Sequence, residues 1–294
     1  EVFEGSPAAR AGIRTGDRIV AVVGESVVGA TSDTVTGKIR GPNGTVVELL
    51  VERRGEAAPL KLKVERSEIQ LPFVRWSILT RENGQKLGYL QIRGFPEPSI
   101  DDRVGEALAE ISQQKVDGMV LDLRGNSGGR IDVGMKVASR LMKDVVVFNQ
   151  VDRSGRPRQA KTQPGTYWER SMPMIVLVDG GTASMGEILS SALQESGAAK
   201  VVGMTSSGSV AGARMYPLAN GGALQITVLT ITSGKGAILN DVGVKPDQTV
   251  ELSDDDLLSG VDAQLEAAIK NLGIGSRRAG LILPFPLPSV REAA

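Results

Sequence analysis

"PMIVLVDGGTASMGEILSSAL", residues 173–193, joins an apolar run to a pair of glycines and then to a helical pattern. The apolar run predicts a buried strand, and Ile188, Leu189 and Leu193 recur at helical spacing after the turn. "DGMVLDLRGNSGGRIDVGMKVASRLM", residues 117–142, repeats the same order of strand, glycines and helix. Two such units in series predict an α/β core, in which the loops after parallel strands gather at one sheet edge. A functional site is expected at that edge.

The flanking sequence predicts further elements of this core. "KLGYLQIRGF" at 86–95 predicts a strand, and 101–115 predicts an amphipathic helix with Val104, Leu108 and Ile111 on one face. Residues 152–169 are a polar stretch, and "AAKVVG", "GGALQITVLTI" and "GVKPD" predict further strands and a turn. We therefore assign 67–272 to the core and 273–294, which is rich in proline, to an extended tail.

Residues 1–66 form a separate compositional unit. "GSPAARAGIRTGDRIVAV" at 5–22 predicts a short helix, a turn and a strand. "TSDTVTGKIRGPNGTVVELLVERRG" then predicts a helix from an N-cap at Thr31 or Ser32 to about Ile39, a turn and a long strand. The pattern predicts a small β-rich domain.

The first of these stretches resembles the later part of a bacterial PDZ domain. The resemblance implies a groove that takes a peptide C-terminus by strand addition, with Val35 and Ile39 of the helix as groove residues. Most of the strand and loop that hold the terminal carboxylate are expected before Glu1, so the domain is N-terminally incomplete. The alternative is a β-rich module without a peptide role.

Composition excludes several function classes. The 294 residues carry 34 basic and 34 acidic side chains, so no net field favours nucleic acid or an anionic membrane. With no cysteine and no histidine, the chain lacks thiolate and imidazole metal ligands and a histidine base, and we predict no metal and no cofactor. No apolar run approaches 18 residues, so we expect a soluble chain; an export signal or anchor before Glu1 is left open.

Ser184 is the candidate nucleophile because it lies at the predicted start of a helix after a glycine turn. Free backbone N–H groups there favour developing negative charge, and the Met185 N–H is the natural first oxyanion donor. Gly128 and Gly129 of the other loop could supply the second donor. Two other interpretations compete: Ser184 and Glu187 form an ordinary capping box, or the glycine loop binds phosphate, although it lacks the residues of a Walker loop.

Five motifs occur in the order and approximate spacing of the C-terminal processing peptidases, also called tail-specific proteases: "LDLRGNSGG", "VDGGTASMGEILSSALQESG", "VVGMTSSG", "PLANGGALQIT" and "GVKPD". The resemblance implies a crotonase- or ClpP-like α/β core, a flanking PDZ domain and a serine nucleophile at Ser184. It also implies oxyanion donors at the backbone of Met185 and of Gly128 or Gly129. A protein or peptide substrate with a free apolar C-terminus and a location in the cell envelope, periplasmic or extracellular, follow from the same resemblance, while homo-oligomerisation is left open.

The base of that family is a lysine, with a glutamine four residues later. An alignment through Ser184 and Pro217 places Ser209 at the lysine position and Ala213 at the glutamine position, and the neighbouring Arg214 stays protonated. A lysine works as a base only where burial and neighbours lower its pKa by about three units. Three interpretations of the missing lysine stay open: a peptidase whose base is Lys136 or Lys161, an inactive relative that binds peptides as an adaptor, or an engineered double replacement, against which the whole altered stretch argues. A different function class, the acyl-CoA chemistry that crotonase-like cores also host, stays open as well.

Overall fold

A computed structural model of the chain describes residues 2, 5–14, 16–68, 72–81, 83–152, 154–169, 172–253, 255–256 and 261–275. The chain forms two compact units. The first comprises the described residues of Glu1–Leu71 and Leu252–Asp262, and the second those of Pro72–Glu251 and Ala263–Arg278. No helix in these residues is long and apolar enough to span a bilayer. The boundary at residue 66 and the tail at 273–294 stay predictions, since residues 276–294 lie outside the described part.

The first unit is an antiparallel sheet with two short helices. The sheet order is β2-β1-β3-β4. Its elements are α1 (Pro7–Arg10), β1 (Arg18–Val22), β2 (Glu25–Ser26), α2 (Ser32–Ile39), β3 (Val46–Glu52) and β4 (Leu60–Glu65). The Ser6 and Thr31 side chains cap the two helices by accepting backbone N–H bonds, as the sequence predicted for Thr31. Strand β4 was not predicted.

The second unit is built on a six-stranded sheet with the order β14-β11-β10-β7-β6-β5. The strands from β14 to β6 are parallel, and β5 pairs antiparallel at the edge. Its strands are β5 (Val74–Thr80), β6 (Lys86–Ile92), β7 (Gly118–Asp122), β10 (Met174–Val178), β11 (Lys200–Gly203) and β14 (Gln248–Thr249). Strands β7 and β10 are completely buried, which confirms the two apolar runs as central strands.

Helices and a second sheet complete this unit. The helices are α3 (Ser99–Gln113), α4 (Ile131–Leu141), α5 (Met185–Glu195) and α6 (Ala263–Asn271). The second sheet has the order β12-β13-β8-β9, formed by β8 (Val146–Asp152), β9 (Pro157–Lys161), β12 (Ala211–Pro217) and β13 (Ala223–Ser233). Helix α3 buries Val104, Leu108 and Ile111 on one face, as its periodicity predicted. Strands β5, β8 and β12 were not predicted, and β9 lies within the polar stretch 152–169.

Candidate active site

The two glycine loops meet at one edge of the central sheet. Strands β7 and β10 are parallel neighbours, so the loops that follow them leave the sheet on the same side. Two bonds join the loops directly: the Gly125 N–H donates to Asp179 Oδ1 at 2.9 Å, and the Ala183 N–H donates to the Asn126 carbonyl at 2.8 Å. The prediction of a shared edge is confirmed.

Ser184 precedes the first residue of α5, as predicted, and has an unusual backbone conformation. Its φ of 52° and ψ of −120° lie in a region that residues other than glycine rarely adopt, whereas an ordinary N-cap residue is extended. Its N–H donates to the Ser209 carbonyl and to Glu187 Oε2, both at 3.0 Å. The Glu187 half of the predicted capping box is therefore present. Strained serines at a strand-to-helix turn are typical of nucleophiles held exposed above a sheet.

Gly128 lies against Ser184 and Gly129 follows it, and the two glycines differ in whether their N–H groups are already bonded. A Cβ on Gly128, whose φ is +88°, would lie 2.5 Å from the Ser184 Cβ, so only glycine fits there. The Gly128 N–H donates to Asn126 Oδ1 at 2.9 Å. The N–H groups of Gly129 and Met185 have no hydrogen-bond partner within the described residues. Gly129 and Ser184 also line the same cleft, so Gly129 is the better-placed second donor.

An ion pair under the first glycine loop was missed in the sequence. Asp122 is fully buried at the end of β7, and its carboxylate accepts bonds from the Arg124 guanidinium at 2.6 Å and from the Tyr89 hydroxyl. Burial acts to raise the pKa of Asp122, but the Arg124 charge and these hydrogen bonds outweigh it and hold the pKa below its usual value. Arg124 also donates to Gln264 Oε1 at 3.1 Å, which ties α6 to the loop. Both residues stand in the "LDLRGNSGG" motif, where only the glycines suggested a role.

Glu187 connects the nucleophile turn to the segment 206–209. This buried carboxylate accepts four hydrogen bonds. Oε2 accepts from the N–H groups of Ser184 and Ser209 at 3.0 and 2.9 Å, and Oε1 from the Gly208 N–H and the Ser206 hydroxyl at 2.7 and 2.6 Å. The sequence suggested only a capping role, because nothing in it shows that residues about 20 positions later fold onto the same carboxylate.

The sequence resemblance aligned Ser209 and Ala213 with a base and its orienting residue, and this assignment stays a prediction. The Ser209 carbonyl accepts the Ser184 N–H, and Ala213 lines the cleft with Ser184. The exposed Ser209 hydroxyl is 2.8 Å from the Ser207 hydroxyl. The Arg214 side chain lies outside the described part of the structure.

The cleft beside Ser184 has a volume of about 520 Å³. Its walls come from α4, α5 and the ribbon of β12 and β13, and its larger apolar residues are Ile131, Ile188, Val210, Val228, Leu229 and Ile231. Its charged lining residues are Arg130 and Asp132, which pair at 2.8 Å. The hydrogen bond from Arg130 holds the pKa of the Asp132 carboxyl below its usual value, so this carboxylate is a weak proton acceptor.

Neither lysine that the sequence suggested as a base lines this cleft. Lys136 lies on the exposed face of α4, and Lys161 is exposed at the end of β9. A lysine base needs burial beside its serine, so the structure overturns both suggestions. No lysine is among the described residues that line the cleft.

In the first unit, Val35 and Ile39 lie on α2, a helix that buries none of its residues completely. Both side chains are half-buried and pack against the small core of Val22, Val27, Val47, Leu49, Val51 and Val64. A row of half-covered aliphatic side chains on a helix is compatible with a peptide groove. That role stays a prediction.

Two models of known families match the chain. Residues 86–250 match the model of peptidase family S41, and residues 1–53 match a PDZ domain. The chain is 30% identical to the carboxyl-terminal-processing protease of Synechocystis sp. over 90% of its own length and 62% of that protein. It is also 30% identical to the carboxy-terminal processing protease CtpB of Bacillus subtilis, over 91% of its length and 55% of that protein. The chain thus spans about three-fifths of these relatives.

A solved structure, the photosystem II D1 C-terminal processing protease, is 27% identical with a TM-score of 0.62, covering 92% of this chain and 70% of that one. The match extends over both units and agrees with the α/β core and the β-rich N-terminal domain.

Proposed function

Because the chain belongs to peptidase family S41, we propose that it is a serine endopeptidase of the carboxyl-terminal processing type. The observation that carries this proposal is the conformation of Ser184. A strained serine at a helix N-terminus shares its cleft with Gly129, and the N–H groups of Gly129 and Met185 have no partner within the described residues; a merely structural turn does not need this arrangement. The relatives named above are processing proteases, which gives the proposal its substrate class.

In this mechanism, Ser184 Oγ attacks the carbonyl carbon of the scissile peptide bond. The carbonyl oxygen becomes an oxyanion and accepts hydrogen bonds from the N–H groups of Met185 and Gly129. The Ser184 proton must pass to a base and then to the leaving amine. Hydrolysis of the acyl-enzyme by water restores the hydroxyl.

Transfer of the Ser184 proton is the step that we expect to be slow in this protein. Ser209 and Ala213 stand where the family places its lysine and glutamine, and the Asp132 carboxylate is a weak acceptor. Loss of general-base assistance lowers a rate by about 10² to 10⁴-fold. Oxyanion donors and substrate positioning still leave catalysis above the rate in water. We therefore propose slow cleavage.

The test compares three forms of the chain on one unfolded substrate with an apolar tail. These are the unaltered chain, Ser184→Ala, and the double variant Ser209→Lys with Ala213→Gln. We expect slow cleavage by the unaltered chain, none by Ser184→Ala, and a rate about 10² to 10⁴-fold higher for the double variant. Equal background from all three forms would contradict the proposed peptidase.

A second candidate function is peptide binding without cleavage, and the loss of the lysine and glutamine favours it. It predicts that all three forms bind the same peptides equally well and cleave none. The acyl-CoA alternative receives no support from the family match, and parallel assays with an acyl-CoA substrate would test it directly.

We further propose that the first unit binds the substrate's free apolar C-terminus beside Val35 and Ile39, and that the protein acts in the cell envelope. Aliphatic side chains beside a strand edge are the elements that such a groove needs. Apolar-tailed peptides should bind the chain saturably. An amidated tail should bind more weakly, and Val35→Asp should abolish the difference. Fractionation of the source cells tests the location, and sedimentation tests self-association.

A further inference from the structure

The ribbon of β12 and β13 carries the cleft outward from Ser184. Ala211, Gly212 and Ala213, at the start of β12, line the cleft, and the backbone just before them is bonded to Ser184 through the Ser209 carbonyl. Strand β12 is at the edge of its sheet, so no strand of the described chain pairs with its outer side. An extended chain added to this edge passes the nucleophile.

The two faces of the ribbon can be assigned from its register. Residues directly opposite each other in an antiparallel pair point to the same face. Met215 is opposite Gln225, and Gln225 lines the cleft. Beyond the register shift between Gly212 and Ala213, Ala213 and Gln225 line the cleft from one face of the ribbon, and Met215 shares that face two positions beyond Ala213. Tyr216 and its partner Leu224 are on the other face, which lines the cleft only on the near side of the shift, at Gly212 and Leu229.

Met215 is highly exposed to solvent for an apolar residue on an edge strand beside a cleft. It is 62% exposed, beyond the last β12 residue that lines the cleft. Residues 211–227 contain a single charged residue, Arg214, although edge strands commonly carry charges that prevent pairing with other chains. A flexible, polarisable methionine suits a surface that accepts different apolar side chains.

We propose that Met215 forms a distal subsite that binds an apolar side chain of an extended polypeptide substrate. This inference rests on the proposed function for the identity of its ligand. Four to six residues separate Met215 from positions 209–211 beside Ser184, which is about 13–20 Å of extended chain. The subsite thus selects the substrate residue about four to six positions from the scissile bond.

The test measures binding and cleavage separately. The binding form is the full chain carrying Ser184→Ala. The peptides have 14 residues, an amidated C-terminus that prevents capture as a free tail, and a polar background with one leucine moved through every position. We expect the best leucine peptide to bind about three- to tenfold more tightly than the leucine-free peptide. Met215→Ser should remove this gain, and Met215→Leu should keep it.

Tyr216→Ser is the matched control, because Tyr216 is exposed, neighbours Met215 in sequence and lies on the other face. It should leave the leucine gain unchanged, and equal melting temperatures will show that both serine variants fold. The inference is overturned if Met215→Ser behaves like Tyr216→Ser, or if no peptide binds. Ser184-dependent cleavage whose leucine preference ignores Met215 would leave the proposed function standing and refute the subsite. Met215-dependent binding without any cleavage would support the subsite and contradict the proposed peptidase function.

Discussion

Two segments meet at the cleft, and they differ in what they retain. The nucleophile turn, residues 179–187, has a strained serine, a helix N-terminus and, at Met185, an N–H group with no partner among the residues that the structure describes. The facing segment, residues 206–213, is bonded to that turn through Ser209, yet it contains neither a lysine nor a glutamine. The backbone geometry of the site can thus be kept although no side chain of the facing segment is a suitable base.

The difference arises because the frame is held by main-chain groups. Glu187 accepts the N–H groups of Ser184, Gly208 and Ser209, and none of these bonds depends on a side chain at position 209. The side chain at position 209 can therefore change without moving the segment that carries it. It follows that a change at Glu187 should damage both segments, a change at Gly128 only the nucleophile side, and changes of the exposed hydroxyls neither.

The largest effect is expected for Glu187→Gln. An amide offers one acceptor oxygen in place of two and turns an NH₂ group toward backbone N–H donors, so at least two buried donors lose their partners. Each costs about 1–3 kcal/mol, and we expect the free energy of unfolding to fall by about 2–5 kcal/mol. Urea unfolding followed by tryptophan fluorescence measures this for the second unit alone, which contains both tryptophans, Trp76 and Trp168.

Glu195→Gln is the control on the same helix. Glu195 is half-buried and accepts from the Ser233 hydroxyl and from the Lys235 N–H at 2.9 Å. Fewer donors lose a partner there, and water can replace it, so the cost should be about 1 kcal/mol. If Glu187→Gln costs no more than Glu195→Gln, Glu187 does not join the two segments in the way described here.

The second effect should be confined to the nucleophile side. In Gly128→Ala the new methyl group lies 2.5 Å from the Ser184 Cβ, so Ser184 must move. The alanine must also adopt the positive φ of residue 128, which is strained for any residue with a side chain. We expect a loss of about 2–4 kcal/mol in stability and at least tenfold in cleavage, assayed in whichever is faster, the unaltered chain or the Ser209→Lys, Ala213→Gln variant.

Gly125→Ala separates backbone strain from collision. Gly125 is in the same loop with a φ of +64°, and nothing lies within 4 Å of its added Cβ. It should therefore cost only the conformational penalty, about 1–2 kcal/mol, with cleavage nearly unchanged. Equal losses of cleavage in the two variants would mean that the approach of Gly128 to Ser184 has no catalytic importance.

The sequence predicts the frame of this site better than its connections. Buried strands, glycine turns and amphipathic helices leave local patterns, so β7, β10, α4 and α5 could be found by reading along the chain. Strand β12 could not, because "AGARMYP" has small residues and no alternation, and its partner β13 determines its conformation. The fourfold use of Glu187 depends on contacts between distant segments, which no local pattern encodes. The bond from the Gly128 N–H to Asn126 is instead local, an asparagine turn within one loop.

The third prediction concerns the stability of the second unit at low pH, which depends on the buried ion pair of Asp122 and Arg124. The pKa of Asp122 is lower in the folded chain than in the unfolded chain, where it is near 3.9. Its contribution is fully present above the unfolded value and is lost as the pH falls through the folded value. Because the chain has no histidine, we expect the urea midpoint reported by tryptophan to be nearly constant from pH 8 to pH 5 and to fall below about pH 4.

Asp132→Asn is the control for acid stability. Asp132 pairs with Arg130 at the surface, where both side chains are more than half exposed. Its removal should leave the pH dependence nearly unchanged, since exposed pairs contribute little. A fall in the urea midpoint between pH 7 and pH 5 in the unaltered chain would contradict this assignment.

The smallest effects are expected for the hydroxyls of Ser207 and Ser209. These hydroxyls lie where a base is expected, but we do not expect them to act as one. The two hydroxyls are exposed and 2.8 Å apart, and Glu187 and Ser184 bond to the backbone of Ser209, not to its side chain. Ser207→Ala and Ser209→Ala should each change stability by less than about 0.5 kcal/mol. Cleavage should stay within about twofold, because an alcohol is too weak a base to hold the Ser184 proton.

Ser206→Ala shows what a structural hydroxyl does in the same segment. The buried Ser206 hydroxyl donates to Glu187 and accepts the Val244 N–H at 2.6 Å, so its loss leaves a buried donor unpaired and should cost about 1–3 kcal/mol. The comparison of cleavage rates then decides what the exposed pair does. A tenfold loss in Ser209→Ala, with stability and the rate of Ser207→Ala unchanged, would mean that the Ser209 hydroxyl relays the proton of Ser184. In that case the segment 206–213 still provides proton transfer from Ser184, through a hydroxyl in place of an amine.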